Sequence, residues 1–181
     1  MCCASLPRSC SVFYFIENIY VFFAAPTHRW LILEQAGGGV LKQLSNTGWS
    51  AKADAIKVIK QRFPFIKEAL EILANDSDQK PECRQESTGL LEKMELLETG
   101  ILVIMWNTLL ECFHATQASL QAKQQDLIIP SALYASLPGF IQDVRKKFDE
   151  FESEAQNLTQ VQNYLPTRTR KIARNRKCNE D

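Results

Sequence analysis

Histidine is nearly missing from this 181-residue chain, which holds only His28 and His114. Two imidazoles exclude histidine-rich zinc sites, and none of the six cysteines (Cys2, Cys3, Cys10, Cys83, Cys112, Cys178) forms a Cys-x-x-Cys pair. Reduced thiols in an intracellular protein are the simplest reading. Glu111 and His114 have the Glu-x-x-His spacing of a di-iron helix, but such a site needs a second copy of that motif and two more inward glutamates, and only His28 is left. There is also no Gly-x-Ser-x-Gly elbow for a nucleophilic serine. The triplet Gly37-Gly38-Gly39 is followed by no Gly-Lys-Ser/Thr, so it reads as a turn and not as a phosphate cradle. No catalysis, metal, cofactor or small-molecule substrate is expected.

Long hydrophobic runs are missing too. The most apolar N-terminal stretch, residues 12–25, is interrupted by Glu17 and Asn18, and its length of about 14 residues falls short of the ~20 that cross a bilayer. Arg8 before it and Ala24-Ala25-Pro26 after it imitate a cleavable leader. A core helix with Phe13, Ile16, Tyr20 and Phe23 on one stripe accounts for it better. No membrane partner is expected. Excess charge is likewise absent, with 21 basic and 21 acidic side chains, although their distribution is uneven. Six of the ten residues 168–177 are cationic (Arg168, Arg170, Lys171, Arg174, Arg176, Lys177), just after an acidic run of Asp149, Glu150, Glu152 and Glu154.

What the sequence does contain is helical periodicity. With 45% hydrophobic residues the chain can bury one good core, and residues 1–165 read as one helical domain followed by an unstructured basic tail at 166–181. Leu90, Met94, Leu97, Ile101, Met105, Leu109 and Cys112 recur at helix spacing, and residues 101–106 are apolar on every face. A second seam runs through Leu137, Ile141, Val144, Phe148, Phe151, Ala155 and Leu158, with Asp143 and Lys147 four apart on its outer side. The expected fold is therefore an all-α bundle with two long helices, about 85–121 and 139–160, and shorter N-terminal helices. Gly100, in mid-pattern, marks a close helix crossing. Trp30 to Gln35 should form a short helix stopped by the three glycines, and Thr47 or Ser50 should cap a helix that Pro64 ends or kinks. In that helix Ala55, Ile56, Ile59 and Phe63 face inward, and Lys52, Lys57 and Lys60 outward.

Two tryptophan motifs go further. Phe22-Phe23 followed by Arg29-Trp30, and then Leu41-Lys42, Leu44-Ser45, Thr47 and Trp49-Ser50, resemble the middle of hAT-type transposases, in particular zinc finger MYM-type protein 1-like proteins. The likeness continues through residues 86–113 and 148–152 into the basic tail. In that family an RNase H-like catalytic core is interrupted by a large helical insertion, and the resemblance covers the insertion alone. The core's aspartates would precede Met1 and its glutamate would follow Asp181. Two-metal strand cleavage requires those carboxylates to converge, so the expectation is a non-catalytic fragment.

The resemblance also implies DNA contact at a transposon-end-like structure. An Arg-Trp pair at the start of the insertion approaches the DNA, and the indole stacks on a displaced base; Trp49 matches that tryptophan, while Gly48 stands where the arginine would be. Arg29 and Trp30 keep an intact pair in the earlier motif. The tail cations Arg168, Arg170, Lys171, Arg174, Arg176 and Lys177 can track a phosphate backbone or serve nuclear import, both of which need only clustered charge. The alternatives are a helical scaffold that binds itself or another helical protein through its heptad seam, and a transposon relic with no activity.

Overall fold

The computed structural model describes residues 8–24, 26–44, 49–121 and 128–165. It is all-α: seven helices and no strand among the described residues. They are α1 (Arg8–Ala24), α2 (Thr27–Gln35), α3 (Trp49–Asn75), α4 (Pro81–Met94), α5 (Leu97–Gln121), α6 (Ile128–Lys146) and α7 (Phe148–Thr159). No single described helix is long and apolar enough to cross a membrane.

Helix α1 buries Val12, Phe15, Ile16, Ile19, Phe22 and Phe23. The expected stripe is rotated: Ile16 and Phe23 are in the core, whereas Phe13 and Tyr20 sit at its edge, because the 12-15-16-19-22-23 spacing aligns more bulk inward. The three glycines stop α2 by backbone chemistry. Gly37, at φ +88°, donates its N–H to the Glu34 carbonyl, and Gly38 donates to the Leu33 carbonyl at 2.8 Å. These are the paired bonds of a Schellman cap, which satisfy carbonyls left over at a helix end. A Cβ on Gly38 would lie 2.2 Å from Leu33 Cδ1 and 2.7 Å from its Cγ, so any other residue there would force the fully buried Leu33 side chain to shift. The strand-free segment after it is tied back to α1 by the Leu44 N–H, which donates to Glu17 Oε2 at 3.2 Å.

Helix α3 continues through Pro64, which is exposed, so the missing backbone bond falls on the solvent side. The helix starts at Trp49; Ser50 lies within its first turn instead of capping it, and Thr47 lies outside the described residues. At the far end, residues 76–80 reverse the chain. Asp76 accepts from the Asp78 N–H at 3.0 Å and from Gln79 Nε2 at 2.9 Å, bonds to the ionised form that hold its carboxyl below the usual value. Pro81 then opens α4 at the position where its absent N–H costs nothing.

Both expected long helices are broken. The first is cut at Glu95-Leu96, and α4 and α5 diverge by 70°. The cause lies in where the flanking side chains go. Met94 is buried in the core formed by α1, α3 and α4, whereas Leu97, Ile101 and Ile104 are buried in a second cluster with Val144, Phe151 and Ala155. A straight helix would not deliver Met94 and Leu97 to different cores. The second expected helix is cut at Lys147, and α6 begins well before residue 139, running through Pro138. Its seam divides accordingly: Val144, Phe151 and Ala155 are buried, but Ile141 and Phe148 are exposed. The outer pair forms between Lys146 and Asp143 at 3.1 Å, not between Asp143 and Lys147.

Helix α5 touches α1, α3, α4, α6 and α7, the neighbours on every side that its all-round apolar sequence requires. Gly100 is the crossing point with α7, where an added Cβ would lie 2.7 Å from Thr159 Cγ2 and 3.2 Å from Ala155 Cβ. Gly100→Ala should lower the unfolding free energy by about 1–2 kcal/mol in urea titrations, overpacking outweighing the gain in helix propensity. Thr159→Ser in the same chain, by removing the clashing methyl, should recover part of that loss. Equal or higher stability of Gly100→Ala alone would show that the crossing is not tight.

Candidate nucleic-acid interface

The three tryptophans serve different ends. Arg29-Trp30 lies on α2, and Arg29 faces inward. Its Nη1 donates to the Phe22 carbonyl at 3.1 Å, its guanidinium carbon lies 4.2 Å from the centre of the Phe22 ring, and Glu86 of α4 approaches at 3.6 Å. The side chain is only 17% exposed. Trp30 packs against the main core. The pair thus binds α2 to α1 and α4, and presents little to a ligand.

Trp49 is placed differently. It is the first residue of α3 and is 50% exposed, with its ring set edge-on to Phe113 of α5 at 6.0 Å. One helical turn on, Lys52 brings its Nζ to 5.0 Å from the Trp49 ring and 5.7 Å from the Phe13 ring. Residues three apart share a helix face, so this approach follows from the sequence spacing. Phe13 in turn stacks edge-to-face on Trp106 at 4.9 Å, and the Trp106 indole N–H is buried with no protein partner. Three helices, α1, α3 and α5, thereby build an aromatic cluster with an ammonium at its surface and one half-open indole face. An indole of that kind offers a stacking platform, and the adjacent ammonium offers a point charge to a phosphate.

The expected residues do not all meet. Trp49 is far along the chain from Arg29 and Trp30, which belong to the core, and Gly48 together with Arg168, Arg170, Lys171, Arg174, Arg176 and Lys177 lies outside the described residues. Glu111 and His114 are both exposed, His28 Nε2 sits 2.9 Å from Gln79 Nε2, and no group of three or more potential metal ligands forms among the described residues. Cys83 and Cys112 are free thiols. The residues that sequence reasoning missed as site members are Lys52, Phe13 and Phe113. Lys52 was detectable from its three-residue offset from Trp49; Phe113 was not, because its contact depends on how α5 packs on α3.

No protein-family model matches this chain, and neither a curated protein nor a solved structure matches it significantly.

The two tryptophan motifs should separate in stability measurements. Arg29→Ala removes a charged hydrogen bond and a ring contact and orphans the Phe22 carbonyl, and it should cost about 2 kcal/mol or more. Trp49→Ala, at the surface, should cost about 1 kcal/mol or less. Urea titrations that reverse this order would contradict the division into a core pair and a surface tryptophan.

Proposed function

We propose that this chain is a non-catalytic helical module, of the kind found as an insertion in hAT-type transposases, that contacts nucleic acid through Trp49 and Lys52, with the basic tail adding backbone affinity. The observation that carries the reading is the half-exposed indole at the start of α3 with an ammonium 5.0 Å from its ring. Stacking on such a ring is worth ~1–3 kcal/mol per base and favours bases that are already unpaired, as at a hairpin or an opened end. The six tail cations supply the salt-sensitive part. A nuclear location fits the same cluster of charge. The two-tryptophan resemblance supports the same reading, and no catalytic activity is assigned to the chain.

A second reading, a helical scaffold for a protein partner, draws on the exposure of Ile141 and Phe148 on the divided seam. The two are separated by one set of titrations. Anisotropy of labelled hairpin-ended and plain duplex DNA across a salt series should show salt-dependent binding. Trp49→Ala should weaken the hairpin complex on the order of tenfold to a hundredfold and leave the duplex complex nearly unchanged. Absence of binding even at low salt would overturn the nucleic-acid reading and leave the scaffold.

A further inference from the structure

The 70° bend between α4 and α5 leaves a depression against α1. Its walls come from the last turn of α4 at Lys93, from the break itself at Leu96, and from the first two turns of α5 at Thr99 and Leu102. Val12 and Phe15 of α1 complete it. These two are buried, so that side belongs to the core, whereas Leu96 and Leu102 are half-buried and complete an apolar wall. The volume is about 350 Å³, in the range of sites that hold small molecules.

Three polar groups stand on this apolar surface, and all of them are donors without a partner among the described residues. Lys93 is the one charged side chain that lines it, and its ammonium forms no ion pair. Thr88, Thr108, Thr116 and Thr159 each donate their hydroxyl to the carbonyl four residues earlier. At Thr99 the residue four places back is Glu95, in the helix break, and the hydroxyl makes no such bond. Tyr14, 62% exposed, leaves its phenol equally free. A wider groove of about 850 Å³ adjoins and carries Glu86, Glu92 and Glu95, none of which lines the smaller space. Glu86 faces Arg29 and Glu95 is paired with Lys67, while Glu92, next to Lys93 in sequence, lies on a different face of the helix.

We propose that this depression binds a small organic carboxylate with an apolar body. The carboxylate accepts from Lys93 and from the hydroxyls of Tyr14 and Thr99, and the hydrocarbon lies against Val12, Phe15, Leu96 and Leu102. Charge complementarity selects this class. The lining holds one cation and no carboxylate, so an anion gains charged hydrogen bonds there, whereas an amine would meet like charge. The apolar walls select an organic acid over an inorganic anion, because only a hydrocarbon body gains from covering them. This site goes beyond the nucleic-acid reading and does not depend on it.

Titrating the ¹⁵N-labelled intact chain with octanoate, octanol and octylammonium, three probes with one tail and different heads, tests the assignment. Octanoate should bind at least about tenfold more tightly than octylammonium, with amide shifts concentrated at Val12, Phe15, Thr99 and Leu102. Hexanoate should bind roughly tenfold more weakly than octanoate, since each buried methylene raises affinity about fourfold. Lys93→Gln, an exposed substitution that leaves the fold intact, should weaken octanoate about fivefold to tenfold and change octanol by less than about twofold. Thr99→Phe, which fills the space, should weaken both. The proposal is overturned if octylammonium binds as tightly as octanoate, if Lys93→Gln leaves octanoate unchanged, or if millimolar octanoate shifts none of those amides.

Discussion

Everything in this fold depends on the burial of α5 from two opposite sides. Val103 and Leu110 enter the core built with α1, α3 and α4, while Leu97, Ile101 and Ile104 enter the cluster shared with α6 and α7. Each such side chain contributes on the order of 1.5–3 kcal/mol when removed from water, so neither contact can be surrendered without loss of a large part of a domain's net stability. The break at Glu95-Leu96 and the glycine at the α7 crossing follow from that requirement. The first lets α4 turn away to lie on α3, and the second lets α7 come close enough to seal the other side. The ion pair from Lys60 of α3 to Glu154 of α7 spans the two clusters at the surface, where it adds specificity more than energy.

The N-terminal part adds directional bonds to the apolar area that α1 and α2 bury. Arg29 uses hydrogen bond, ring face and charge on three different partners, and the glycine cap after α2 sends the chain back toward the start of α3. Helix α3 then begins with Trp49, so the surface position of that indole depends on how α1 and α2 close. The cation held between the Trp49 and Phe13 rings joins α3 to α1 at the same place. Structure and proposed binding surface thus share residues, and a change at Phe13 acts on both.

Much of this was readable from residue spacing. The all-α class, the Gly37-Gly39 stop and the close approach at Gly100 all follow from local chemistry or from a period of 3.6. The continuity of the two long helices did not, because hydrophobic spacing passes unchanged across Glu95-Leu96 and Lys147; only the destination of Met94 and Leu97 distinguishes one helix from two. For the candidate site, Trp49 stood out by residue type, whereas Lys52, three residues on, was read only as an outward-facing lysine of the same helix. Arg29 could be read as a ligand contact only while its inward partners Phe22 and Glu86 were unknown, since nothing local to Arg29-Trp30 indicates which side faces the core.

The most direct test of this account is native-state hydrogen exchange resolved by residue. If α5 is the element on which both clusters rest, its amides between Ile101 and Leu110 exchange only by global unfolding and are the slowest in the chain, whereas those of α6, which buries Val144 alone among its described side chains, exchange through local opening at much lower free energy. Exchange in α5 as fast as in α6, or a slowest set confined to α1 and α3, would contradict the central place given to α5.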